Sequence, residues 1–127
     1  MTADSSNSTH TTIWQALGIA DVNGFRNEFP QDYLDTIEKM IMFYANISFP
    51  DYTNPCFSDA KLTNKKEMLG NYRSWSKLFP ENQAIKYFAT EGKEGALPDY
   101  MSKGFLKSGF FVFRNSWGTD ATQMVVK

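Results

Sequence analysis

Apolar residues recur along this chain first with a helical period and then with a strand period. Over residues 31–48 they fall at Tyr33, Leu34, Ile37, Met40, Ile41, Tyr44 and Ile47, the spacing of one buried helix face, with Glu38 and Lys39 opposite. Pro30 takes the first helical position, Asp32 and Asp35 suit the positive end of the helix dipole, and Pro50 stops the run. A second helix is predicted over 65–78, with Met68, Leu69, Tyr72, Trp75 and Leu78-Phe79 as its stripe. Asn64 and Glu67 form a capping box at its start, and Pro80 closes it. A third, shorter helix covers 82–90 through Ala84, Ile85, Tyr87 and Phe88. Upstream, Ile13, Trp14, Leu17 and Ile19 make a short apolar-periodic segment that breaks at Asp21-Val22-Asn23-Gly24. The stretch from Phe49 to Pro55 reads as an irregular loop and residues 91–97 as a solvated, Gly-rich one; Pro98 to Met101 predicts one more helical turn.

At the C-terminus the period changes. Gly109 to Arg114 and Ala121 to Val126 are short runs of aromatic and β-branched residues, separated by Asn115 to Asp120, whose Gly-Thr-Asp portion can turn the chain. The expected fold class is therefore mainly α with a C-terminal antiparallel β-hairpin. Residues 1–12 are expected to be a disordered polar tail, 13–104 a helical segment, and 105–127 the start of an incomplete antiparallel β unit. A lone two-stranded hairpin is marginal in water, and an apolar strand edge invites pairing. Both points lead to the expectation of a piece of a larger protein, self-associating through the hairpin edge.

Composition narrows the classes further. The 127 residues are 42% hydrophobic and 21% charged, as in an ordinary globular domain, and thirteen basic against fourteen acidic side chains leave no basic field for nucleic acid. No apolar run approaches the ~20 residues that cross a bilayer, and residues 1–12 lack the apolar core of an export signal. Aromatic residues reach 16%, enough to fill a core or line a carbohydrate groove, with burial the favoured reading.

Motifs that carry chemistry are few. Asn115-Ser116-Trp117-Gly118 matches a tetrapeptide of papain-like proteases, but the one histidine, His10, precedes the one cysteine, Cys56. With no imidazole to take its proton, that thiol has no activating base, and the match is coincidence. Cys56 is expected to be a buried structural thiol and His10 a solvated residue. Lys61, Lys65, Lys66, Arg73 and Lys77 surround the second helix, and Lys103, Lys107 and Arg114 lead into the hairpin. Such groups could hold an anionic polymer, yet a solvated helix face is the favoured reading. No phosphate loop, zinc-protease helix or calcium loop is present, so neither cofactor nor metal is expected. Asn7-Ser8-Thr9 and Asn46-Ile47-Ser48 fit the short glycosylation pattern.

Several stretches taken together carry a resemblance. They are Ile19 to Arg26 (IADVNGFR), Phe49 to Tyr52 and on through Ser58-Asp59-Ala60, Tyr87 to Lys93 (YFATEGK), and Ser108 to Arg114 (SGFFVFR) with Trp117 and Asp120-Ala121. They resemble the central segment of the bacterial heparinase II/III family of polysaccharide lyases, most of all its heparin-sulfate lyases of the heparinase III type, over roughly residues 15–127. The resemblance implies an internal fragment, with 13–104 at the end of an α/α toroid and 105–127 at the first strands of a β-sandwich. It implies an acidic polysaccharide such as heparan sulfate as partner, cut by β-elimination, and a periplasmic enzyme, although this chain shows no signal peptide. The family's catalytic Asn and Tyr lie upstream of the matched region and its His downstream, so no catalytic residue is assigned and the chain is expected to be inactive alone. Tyr52, Arg114 and Trp117, where the two domains would meet, are the candidates for sugar contact, with core packing the stronger expectation for Trp117. A stand-alone helical carbohydrate-binding or protein-interaction module is the alternative.

Overall fold

The computed structural model describes residues 3–57 and 60–127, with side chains from Thr11 onward. Four helices precede a small sheet: α1 (Ala3–Val22), α2 (Gln31–Ile47), α3 (Lys65–Leu78) and α4 (Gln83–Ala89), then β1 (Lys103–Phe105), β2 (Phe110–Arg114) and β3 (Gln123–Val126). A single 3-10 turn, Arg26–Glu28, joins α1 to α2. The three strands are antiparallel in the order β1-β2-β3.

The helices follow the apolar periods closely. Asn64 caps α3 by accepting from the Glu67 amide at 2.9 Å, and Asn82 caps α4 by accepting from the Ile85 amide at 2.9 Å. Pro30 is the extended cap residue before α2 rather than its first helical residue. Three expectations change. The helix of residues 13–19 begins at Ala3, inside the stretch read as a disordered tail. No Gly or Pro interrupts residues 3–12, and once Leu17 anchors the helix each further residue adds a hydrogen bond at little cost. Pro98 to Met101 forms no helix. The hairpin gains a third strand, β1, which pairs Lys103 with Val112 and Phe105 with Phe110.

Two apolar clusters share α2. The larger gathers Leu17, Ile37, Ile41, Tyr44, Met68, Tyr72, Trp75, Leu78 and Ile85. Trp75 is its centre, with Tyr72 edge-on at 5.2 Å, Tyr44 at 6.0 Å and Trp14 edge-on at 6.5 Å between centroids. The smaller joins Ile47, in the last turn of α2, to Phe110 and Val112, with the Phe43 ring edge-on to Phe105 at 5.0 Å and to Phe110 at 5.3 Å. Most of the aromatic content is thus packing, as expected.

The sheet also docks through polar groups. The last carbonyls of a helix have no intrahelical donor. At the end of α2 they are met by side chains from the strands: Arg114 Nη2 donates to the Asn46 carbonyl, and Gln123 Nε2 donates to the Ile47 and Ser48 carbonyls at 3.2 and 3.0 Å. A cation at that end also complements the helix dipole. Strand alternation sends Phe110, Val112 and Arg114 inward. It leaves Phe111, Phe113, Met124 and Val126 exposed, with Phe111 opposite Val126 and Phe113 opposite Met124.

Arg114 is 8% exposed and its guanidinium lies 3.5 Å from the centroid of the Trp117 ring. A lysine reproduces neither that planar stack nor the fixed fork. Arg114→Lys is expected to lower stability by about 2 kcal/mol, the scale of a desolvated cation–π contact, read as a lower urea midpoint at unchanged slope.

Candidate functional site

Three segments distant in sequence meet beside the C-terminal end of α2: the loop 49–57, the α3–α4 pair with the loop that follows it, and the β2–β3 connection. They enclose a cavity of about 200 Å³ walled by Tyr52, Tyr72, Tyr87, Phe88 and Trp117. Lys65, Glu91, Ser116, Thr119 and Gln123 supply its polar groups. Aromatic walls with a few convergent polar groups are the make-up of a small-molecule site.

Tyr52 is delivered by a tight turn. The Tyr52 amide donates to the Phe49 carbonyl at 2.8 Å, the Phe49 amide to the Thr53 carbonyl at 2.8 Å, and Thr53 holds the Asp51 carboxylate through its hydroxyl (2.6 Å) and amide (2.9 Å). Those two bonds keep the Asp51 carboxyl below the usual carboxylate range. The turn forces Tyr52 to a φ of 70°, a conformation that costs a non-glycine residue roughly 1–3 kcal/mol and is found at binding sites where neighbours enforce it. Its hydroxyl donates to the Phe88 carbonyl at 3.1 Å, and its ring meets Tyr72 edge-on at 5.8 Å. Burial first, then the nearby Glu91 and Tyr87, push the Tyr52 phenol up to about 12. At neutral pH the phenol is protonated and held as a hydrogen-bond donor to that carbonyl.

The loop after α4 closes back on its own helix. The Ala96 amide donates to the Gln83 carbonyl at 3.1 Å, and Gly95 lies so near the helix that a Cβ would sit 2.3 Å from that same carbonyl. Thr90 ties the loop further: its hydroxyl accepts from the Glu94 amide at 3.0 Å. Glu91 (φ 53°) is thereby turned toward α3, where its Oε1 meets Lys65 Nζ at 2.7 Å. Lys65 Nζ also stands 5.4 Å from the centroid of the Tyr52 ring. The ammonium keeps the Glu91 carboxyl below its ordinary range, by hydrogen bond and by charge. Both side chains are about half exposed, at 54% and 44%, so solvent screens the pair.

Trp117 forms the wall on the sheet side. Its indole Nε1 donates to the Tyr100 carbonyl at 2.9 Å, its ring stands 5.8 Å from Phe88, and Arg114 covers it at 3.5 Å. Of the three sugar-contact candidates, Tyr52 and Trp117 thus face one cavity, while Arg114 lies behind Trp117. Burial pulls the Arg114 guanidinium down to about 10, against the upward pull of Tyr100 and Tyr72, and it remains charged at pH 7. Lys65 was legible only as one cation among several, Glu91 as part of a solvated loop, and Gln123 not at all. The remaining expectations divide. Cys56 is exposed, because its loop runs over the surface, and is not the buried thiol expected. Asn46 is 1% exposed and donates to the Met42 carbonyl and the Tyr100 hydroxyl, so its side chain is no acceptor for a glycan. The side chains of His10 and of Asn7 to Thr9 lie outside those described. Among those described, no helix is long and apolar enough to cross a membrane.

Comparison with known proteins adds identity to this geometry. The family model described as Heparinase II/III N-terminus matches residues 4–87. A heparin-sulfate lyase of Bacteroides stercoris is 86% identical over 113 residues, which is 89% of this chain and 17% of that enzyme. The heparin-sulfate lyase of Pedobacter heparinus is 46% identical over the same length. A solved heparinase III superposes with a TM-score of 0.95 at 81% identity, covering 98% of this chain and 19% of the other. The heparan sulfate lyase HepC of Pedobacter heparinus does so with a TM-score of 0.89 at 43% identity, covering 94% and 19%.

A phenol whose pKa is raised on folding favours the folded state below the unfolded value and loses that contribution as pH climbs through the folded one. For Tyr52 the window runs from 10 to about 12. Stability of the chain is expected to fall as pH rises above 10, and Tyr52→Phe is expected to flatten part of that fall in urea titrations. An identical slope in both proteins would show that Tyr52 ionises freely.

Proposed function

The chain belongs to the heparinase II/III family, and on that premise we propose that it is a section of a lyase that cleaves heparan sulfate or a related acidic glycosaminoglycan by β-elimination. The observation that carries this reading is the 86% identity to a heparin-sulfate lyase across 89% of the chain. The chain spans about 17% of the length of the curated relatives it matches, so the activity belongs to a longer polypeptide. In such a polypeptide the helices take the place of the last part of an α/α toroid and the sheet that of the first strands of a β-sandwich. The family model supports this division, since its match stops at residue 87, within α4, just before helices give way to strands. Placement of the whole enzyme in the periplasm belongs to the same reading and rests on the resemblance alone.

In β-elimination a base removes the proton at C5 of the uronic acid, a neutral or cationic group offsets the charge that builds on the carboxylate, and the C4 oxygen leaves. This chain's contribution is a wall for the sugar. Tyr52 and Trp117 offer ring faces, and Arg114 acts through Trp117 by fixing its plane. That the chain has no elimination activity by itself is part of the same proposal.

Exchanging these residues for the corresponding segment of the Bacteroides stercoris enzyme is expected to preserve lyase activity within a few fold, while the isolated chain yields no unsaturated uronate from heparan sulfate. A folded but inactive chimera overturns the reading, and binding of neutral glycans as tightly as acidic ones by the isolated chain would favour a stand-alone binding module. The exposed face of Phe111, Phe113, Met124 and Val126 supports self-association of the isolated chain. Sedimentation velocity is expected to show dimers or larger species that Phe113→Lys reduces; a strictly monomeric chain at high concentration contradicts it.

A further inference from the structure

We propose that the Lys65–Glu91 ion pair is a displaceable gate on the aromatic cavity: the Glu91 carboxylate holds the place of a uronic acid carboxylate, and an acidic saccharide enters by exchanging with it at Lys65. The inference rests on the lyase reading above and assigns to that site the group that selects charge.

The geometry supports exchange rather than a permanent brace. Lys65 is the one cation among the described residues lining the cavity, and its Nζ lies 2.7 Å from Glu91 and 5.4 Å from the centre of the Tyr52 ring. The ammonium thus stands between a carboxylate and an aromatic face, the two kinds of group that a uronate in the cavity would need on either side. Lys65 and Glu91 are both half exposed, so water can solvate the carboxylate once it is released. Glu91 is presented by a loop whose return to α4 is anchored at Gly95 and Ala96, so its side chain can swing away without unpacking the helix. On the far wall Trp117 is held from behind by Arg114 and offers a rigid face for the sugar ring. Thr119 and Gln123 supply polar groups for its hydroxyls.

The neighbouring pair Lys86–Glu94, at 3.3 Å, gives an internal control. Its Glu94 is on the same loop as Glu91, with Lys86 on α4 where Lys65 is on α3; it carries the same charges and lines no part of the cavity. The test is calorimetric titration of the 127-residue chain with a glucuronic acid–N-acetylglucosamine disaccharide and with its carboxyl-reduced counterpart. Glu91→Gln is expected to tighten the acidic disaccharide about two- to fivefold, the range that loss of a competing exposed ion pair allows, and to leave the reduced one unchanged. Glu94→Gln is expected to change neither, and Lys65→Met to bring the acidic sugar down to the affinity of the reduced one. Equal tightening by Glu94→Gln, or no effect of Glu91→Gln, overturns the gate while sugar binding itself leaves the lyase reading standing. No binding of either sugar by any variant also overturns the gate, and the chimera decides the lyase reading separately. An inactive chimera beside a charge-selective response at Glu91 would instead sink the lyase reading and keep the gate.

Discussion

The end of α2 is where this structure is held together. A helix that stops inside a protein presents carbonyls that must find donors, and here the donors come from a different secondary structure class. Arg114 and Gln123, on neighbouring strands, supply them at Asn46, Ile47 and Ser48. The cost of burying the guanidinium is offset in part by the carbonyl and the helix dipole at Nη2 and by the Trp117 face, while Nε and Nη1 have no hydrogen-bond partner among the described residues. Phe43 and Ile47 add the apolar contacts that exclude water from the same junction.

That junction makes the cavity. Without the sheet seated on α2, Trp117 would have no fixed position opposite Tyr52, since the Tyr100 carbonyl and the Arg114 guanidinium orient its ring. The helical side is equally constrained: Tyr52 is held with a positive φ by its turn and by its bond to Phe88, and Glu91 by a loop that folds back on α4. Two residues in the left-handed region on one rim are a local cost that the larger Trp75-centred core bears. An aromatic-walled recess with the Lys65–Glu91 ion pair in its lining follows from these constraints, in a chain whose named relatives are heparin-sulfate lyases.

The helices could be read from residue order because their causes are local. The period of Ile37, Ile41 and Tyr44, the Asn64 cap and the stops at Pro50 and Pro80 each act within a few residues, and α3 runs from Lys65 to Leu78 as its pattern requires. The distributed likeness to heparinases was also present in the chain itself and agrees with the family match. Strand β1 escaped notice because three residues around a glycine carry no period and become a strand only when β2 lies beside them. The start of α1 at Ala3 was hidden for a related reason, since polar residues extend a helix only once Leu17 is packed downstream.

Amino-acid order thus settled the helical periods, their caps and stops, and the family likeness, all of which depend on neighbours along the chain. The placement of Tyr52 and Trp117 on one cavity, the conversion of Arg114 from a charge preceding a turn into a buried clamp, and the pairing of Lys65 with Glu91 were decided only by three-dimensional packing. Arg114 with the Asn46 carbonyl and Lys65 with Glu91 join groups far apart in sequence whose energies exist only at contact distance, so no local pattern could announce them.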